Sequence, residues 1–322
     1  MIKKALIIGI DDYPSAPLNG CVNDAESVSQ LLETNGDGSP NFDISLNLNV
    51  KDKNTMISLL KALFKGSSDI ALLYFSGHGS ESQGGQIVTP DYVGDDLGVP
   101  MNTILGMANN SNCKNVIIIL DCCFAGNLGE SYTTGGTESH LGEGVTIMTA
   151  SPRDDVAIES KGQGVFTSLL IQGLNGGASD ITGKITPASL YSFIDQSLGA
   201  WEPRPIFKTN ISSFLPIRTI EPKVSITTLR KLSQYFPNQS DELDLDPSFE
   251  YTNSHDIEHE VIEPYATQKN VNIFRDLQLF ESVGLIEPVG ENHMYFAAMH
   301  SKSCKLTALG LHYWRLSKDR RF

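Results

Sequence analysis

Two runs of this chain are apolar on both faces. Ile70 to Phe75 is IALLYF and Asn115 to Leu120 is NVIIIL, with no alternation of polar and apolar side chains. A strand with one face in water alternates, so uninterrupted runs of this kind belong to strands covered on both sides, as in parallel sheets between layers of helices. Further strand-like runs at about 4–10 and 145–150 alternate with helical patterns at about 22–34, 54–65, 101–110 and 164–174. Leu46 to Val50 supplies another candidate strand. Pro187 directly after Thr186 predicts a helix start near 187–198, because proline fits the first helical turn. The expected fold is α/β, a mostly parallel sheet with helices on both faces.

Each of the two apolar runs exits into a short, chemically distinctive segment. The first leads into Ser76-Gly77-His78-Gly79, the second into Asp121-Cys122-Cys123-Phe124-Ala125-Gly126. Ligands in open α/β sheets bind outside the carboxyl ends of the strands, and both His78 and Cys123 fall there. A free thiol is only a few per cent thiolate at neutral pH, so a neighbouring imidazole is needed to activate it or to protonate the leaving group. A histidine and a cysteine that both leave the carboxyl ends of buried strands can meet in space as the components of a hydrolytic dyad. Either residue alone would be ordinary packing.

These motifs, 45 residues apart, resemble those of the caspase-like cysteine peptidases, in particular the metacaspase and prokaryotic branch. The resemblance also takes in Ala5 to Ile10, Leu18 to Ala25, Val145 to Glu159, Gly164 to Leu170, Gly173 to Ala178, Ile185-Thr186 and Arg204 to Phe207. It covers residues 1–216, which it implies are a peptidase domain. It also implies that His78 is the general acid or base and that Cys123, the second cysteine of the pair, is the nucleophile. Cys122 would pack beneath the site. Phe124 departs from the His common in metacaspases. The oxyanion would be met by the backbone N–H of Cys123 and of Gly77 or Gly79, where the missing side chain admits the substrate.

Specificity follows from charge. Asp121 precedes the cysteines, and Asp24 lies in the Asn23-Asp24-Ala25 segment that the resemblance places at the same pocket, with Ser76 beside it. Two converging carboxylates favour a guanidinium or ammonium, so cleavage of a protein or peptide after Arg or Lys is expected. Asp24 read alone is equally an acid favoured by a helix N-terminus. Arg153, Asp154 and Asp155 are either partners of the substrate backbone or plain surface charge. Between Phe124 and Pro152 there is no Lys, Arg or Asp, so self-cleavage of this linker by a basic-specific or acid-specific enzyme is not expected. No cofactor is expected. Calcium activation is disfavoured, since Asp95 and Asp96 fall too early after Pro90-Asp91-Tyr92 and the later stretch is Val99-Pro100-Met101-Asn102.

Composition fits a soluble cytoplasmic enzyme. The 322 residues suggest two domains, the start Met1-Ile2-Lys3-Lys4 meets Asp11 and Asp12 too soon for a signal peptide, and no apolar run is long enough for a membrane span. Five scattered cysteines argue against a disulfide framework and for a reducing compartment. The balance of 24 basic against 38 acidic residues opposes non-specific nucleic-acid binding.

From residue 217 to 322 the character changes. Pro237 to Pro247 has the composition of a linker or loop, and helices are expected at Thr227 to Tyr235 and Val271 to Val283. Short strands at Leu285 to Gly290 and Met294 to Met299 and a last helix at Leu306 to Leu316 follow. This order resembles a winged-helix module of α+β class. With about 12 basic and 15 acidic residues, it is expected to bind an activating ligand or partner protein rather than nucleic acid, and to regulate the peptidase. The resemblance implies a role in prokaryotic defence or cell death. The competing readings are a catalytically silent caspase-like scaffold and a DNA-binding regulator.

Overall fold

The computed structural model describes residues 1–123, 140–150, 159–160, 163–199, 202, 204–258 and 260–322. Arg153, Asp154, Asp155, Phe124 and most of the linker after Cys123 lie outside the described residues. The chain divides into two compact units, Met1–Glu221 and Pro222–Phe322.

The first unit begins with β1 (Lys3–Gly9), α1 (Cys21–Glu33), β2 (Asp43–Leu48), α2 (Lys53–Phe64) and β3 (Ile70–Ser76). A small antiparallel sheet follows, β4 (Gly79–Ser80), β5 (Gln86–Val93) and β6 (Asp96–Pro100), then α3 (Met101–Asn109), β7 (Asn115–Asp121) and β8 (Val145–Thr149). After the short pair β9 (Glu159–Ser160) and β10 (Gln163–Gly164) come α4 (Val165–Gln172), β11 (Lys184–Ile185), α5 (Pro187–Ser197), β12 (Ile206–Asn210) and β13 (Arg218–Thr219). The main sheet has the order β12-β8-β7-β3-β1-β2, parallel except for β12 at one edge.

The doubly apolar runs form the centre of this sheet. All seven residues of β3 are buried, as are Val116 to Asp121 of β7. Their side chains alternate between two cores. Leu73, Phe75, Ile118, Leu120 and Cys122 join one core with α2 and α3, while Leu72, Tyr74, Ile117 and Ile119 join the other with α1, α4 and α5. The predicted start of α5 is built as expected. The Thr186 side chain accepts from Ser189 N–H, Ser189 returns the bond to Thr186 N–H, and Pro187 opens the helix.

Two elements differ from expectation. The candidate strand at 46–50 is Asp43–Leu48 instead, set by pairing with β1 in the register Lys4 to Asp43 through Gly9 to Leu48. The antiparallel trio β4 to β6 has no counterpart in the expected pattern, because its short pieces are carried by turns and pairing more than by hydrophobic periodicity.

The second unit contains α6 (Ile226–Leu229), α7 (Leu232–Tyr235), β14 (Glu242–Asp244), α8 (Gln268–Ser282), β15 (Ile286–Val289), α9 (Met294–Met299), β16 (Ser303–Leu306) and α10 (Ala308–Lys318). The predicted strand at Met294 to Met299 is a helix. Met294, Ala297 and Ala298 are buried at helical spacing while Tyr295 and Phe296 are exposed, a pattern no alternating strand produces. The strand that pairs with β15 is β16, and β14 pairs with β16 from its other side, inside the stretch expected to be loop. A run of six apolar residues fits a short helix as well as a strand, and only pairing separates them. Among the described residues no helix is long and apolar enough to cross a membrane.

Candidate active site

Three strand exits build the site. Ser76 and Asp121, the last residues of β3 and β7, are Cα partners across the parallel ladder. His78 and Cys123 each follow two residues later, so they leave adjacent strands at the same level, and such strands run about 5 Å apart. Beyond the ladder the two turns stay in contact. Gly77 N–H donates to Asp121 O at 3.3 Å, and a Cβ placed on Gly79 would stand 2.0 Å from Cys123 O and 3.1 Å from Cys122 Sγ.

Period-two alternation separates the two cysteines. Cys122 points with Leu120 and Ile118 into the core under α2 and α3 and is 1% exposed. Burial pushes its thiol well above the ordinary range, with Asp121 adding to the shift. Cys123 is half-buried and is the one cysteine of the five that is not buried. Burial likewise raises Cys21, and Cys304 is pushed up to about 12. The thiol of a raised group stays protonated and unreactive at mild pH. Iodoacetamide at pH 8 is therefore expected to alkylate Cys123 at least about tenfold faster than Cys21, Cys122 or Cys304, as read by peptide mapping of the native protein. Equal labelling of Cys122 would reverse the assignment.

The β1 exit holds the imidazole. His78 Nε2 lies 2.7 Å from Ala16 O, and a carbonyl only accepts, so Nε2 carries a proton. That leaves Nδ1 as the nitrogen able to exchange a proton. Tyr13, 3% exposed, stands beside it with ring centroids 4.5 Å apart. Its Oη accepts from His78 N–H at 3.0 Å and donates to Val88 O at 3.3 Å. Burial pushes the phenol far above its ordinary pKa and keeps it a donor. The loop carrying Tyr13 is itself tied down. Asp11 Oδ1 accepts from Cys21 N–H at 2.9 Å and Oδ2 from Val22 N–H at 3.3 Å, an anion at the start of α1. Asn49 Oδ1 accepts from the N–H of Asp11 and of Asp12.

Both predicted glycine donors are in the His78 turn, but they differ. Gly77 N–H donates to Asp121 O. A Cβ on Gly77 would also meet Tyr13 Oη at 2.6 Å. Gly79 keeps the position after the histidine and packs on the Cys123 carbonyl.

Asp24, Ser76 and Asp121 come together on the other face of the sheet. Asp24, 2% exposed in the first turn of α1, accepts at Oδ2 from Ser76 Oγ at 3.4 Å and from Gly164 N–H at 3.3 Å. Asp121, 7% exposed, accepts at Oδ2 from Thr167 Oγ1 at 2.6 Å. A Cβ on Gly164 would be 2.5 Å from that same Oδ2, so Gly164 sits between the two carboxylates. Asp24 is thus directed into the protein rather than left as a solvated acid on a helix end.

Tyr13, the Ala16 carbonyl and Thr167 carry no role in the sequence reading. Tyr13 is the aromatic of the strand-exit loop Asp11-Asp12-Tyr13-Pro14, which is a usable signal. A backbone carbonyl has none. Among the described residues no group of three or more His, Cys, Asp or Glu is arranged to hold a metal ion. Of the acids weighed for calcium, Asp96 pairs with Lys53 at 2.6 Å, and Asp91 accepts from Lys53 N–H and Thr89 Oγ1.

The fold has a counterpart among solved structures. Protein GSU0716 from Geobacter sulfurreducens superimposes with a TM-score of 0.51 at 15% identity, over 69% of this chain and 100% of that one. Caspase-1 from Spodoptera frugiperda aligns with a TM-score of 0.49 at 12% identity, over 68% of this chain and 90% of that one. Among curated proteins the comparison finds no match. The model of the family described as Caspase domain matches residues 2–201, which include β1, β3, β7, His78 and Cys123. The chain belongs to the caspase-domain family, a family of cysteine peptidases.

Proposed function

We propose that the protein is a cysteine endopeptidase that cleaves after Arg or Lys. The observation that carries this reading is the Ser76 to Asp121 register, from which the turns carrying His78 and Cys123 leave paired strand ends, while Asp24 and Asp121 converge on Gly164. His78 Nδ1 takes the Cys123 proton as sulfur attacks the scissile carbonyl carbon. The carbonyl π pair moves to oxygen, and the N–H groups of Cys123 and Gly79 receive that oxyanion. On collapse the C–N bond breaks, His78 returns its proton to the leaving amine, and an acyl thioester remains. Water, deprotonated by Nδ1, then releases the acid and restores the thiol. The bond from Nε2 to Ala16 O keeps the ring orientation through both steps.

Beside the scissile bond, the two carboxylates create a potential that favours a cationic side chain and opposes an acidic one. The linker after Cys123 offers such an enzyme no basic residue, which supports control by the second unit, through a ligand or partner protein, rather than maturation by cutting there. Fluorogenic peptides differing only at the cleavage residue test the specificity. Turnover of Arg and Lys peptides is expected to exceed that of the Asp peptide by at least about a hundredfold, since juxtaposed like charges cost several kcal/mol. In the same incubation the wild-type chain is expected to stay one band. Preference for Asp, or no turnover of basic peptides with Cys123 inert to an electrophilic arginyl probe, would sink the proposal.

A further inference from the structure

Beneath the two carboxylates lies a pair of hydroxyls that the reaction does not use. Tyr74 in β3 and Thr167 in the first turn of α4 are both 0% exposed. Tyr74 Oη and Thr167 Oγ1 are 2.6 Å apart, and Thr167 Oγ1 is 2.6 Å from Asp121 Oδ2. An ionised carboxylate only accepts, so the single Thr167 proton goes to Asp121. The Tyr74 proton then goes to Thr167, and the chain of donors runs Tyr74 to Thr167 to Asp121. Burial holds the phenol well above its ordinary pKa, so it remains a donor.

Burying two hydroxyls is unfavourable, and Phe with Val would fill the same volume without that cost. What the hydroxyl pair adds is a direction for the Asp121 carboxylate. Gly164 supplies the second constraint. Its N–H holds Asp24 Oδ2, and its lack of a Cβ lets Asp121 Oδ2 approach. Residues 164 and 167 are three apart at a helix start and share one side of the turn, so one turn of chain governs both acids.

We infer that Thr167, held in turn by Tyr74, is a positioning residue that aims the Asp121 carboxylate at the cationic side chain of the substrate. The inference rests on the basic-residue specificity proposed above. A guanidinium is a planar fork that demands an aligned carboxylate, whereas an ammonium is a compact charge that tolerates misalignment. Loss of the Thr167 hydroxyl therefore harms recognition of Arg more than of Lys.

The test measures, by calorimetry on a Cys123→Ala background, the affinity for peptides carrying Arg, Lys or uncharged citrulline at the cleavage residue. Thr167→Val is expected to weaken the Arg peptide about tenfold, the Lys peptide about threefold and the citrulline peptide not at all, the scale of one hydrogen bond to a charged group. Thr167→Ser is expected to restore wild-type values. The double change Tyr74→Phe with Thr167→Val leaves no orphaned hydroxyl and is expected to match Thr167→Val. In the chain that retains Cys123, its alkylation rate is expected to be unaffected by Thr167→Val. Unchanged Arg affinity in Thr167→Val, or equal loss for all three peptides, overturns the positioning role alone. A parent protein that binds the Arg peptide no better than citrulline overturns the basic pocket and the positioning role together.

Discussion

Cys123→Ala is expected to lower kcat/KM for an Arg peptide by at least about 10,000-fold, the scale on which removal of a catalytic nucleophile is felt when base and oxyanion donors remain. The neighbouring change, Cys122→Ala, is expected to leave kcat/KM within about threefold and to cost about 1 kcal/mol of stability, as deletion of one buried group of that size does. The contrast isolates chemistry from packing at two consecutive residues. It follows from the pleat, which turns Cys122 into the core with Leu120 and leaves Cys123 half-buried where β7 ends. Peptide turnover together with denaturant melts of both variants checks it. A large activity loss in Cys122→Ala with little loss in Cys123→Ala would exchange their roles.

The second large effect is expected at Gly79. A Cβ there would stand 2.0 Å from the Cys123 carbonyl oxygen, and the obstacle is backbone, which cannot swing aside as a flexible side chain would. Gly79→Ala must push the His78 and Cys123 turns apart. An oxyanion donor is worth about 100- to 1,000-fold, and misplacement by about 1 Å costs about 100-fold more. Turnover is therefore expected to fall by at least about 1,000-fold, with an overpacking penalty of about 1–3 kcal/mol. Gly66→Ala is the control, since a Cβ there meets nothing within 4 Å, although its φ of +77° adds local strain. Near-wild-type turnover in Gly79→Ala would show that the two turns are not in the contact described.

How much of this was legible in the chain depends on the range of the interaction. The central strands were readable because Ile70 to Phe75 and Val116 to Leu120 are apolar without alternation, and burial on both faces is the one environment that permits this. The start of α5 was readable because Thr186, Pro187 and Ser189 satisfy one another locally. The helix at Met294–Met299 was misread because six apolar residues carry too little periodicity. Its burial at helical spacing is decided by what packs on it.

The site divides along the same line. Residue types and strand exits were enough to nominate His78 and Cys123, since thiol and imidazole chemistry is written in side chains, whereas Asp24, Asp121 and Ser76 were nominated as a pocket through the family resemblance. Tertiary structure alone decided which backbone groups are engaged and which way the side chains face. It gave the Gly77 N–H to Asp121, the Ala16 carbonyl to His78, Tyr13 to the back of the His78 turn and Thr167 to Asp121. Those contacts join residues 44 to 65 positions apart, and tertiary pairing, not local preference, brings them together. The chain by itself determined which groups are available for catalysis. Their directions were decided by the register of β3 against β7, because a one-residue slip would turn every side chain to the opposite face.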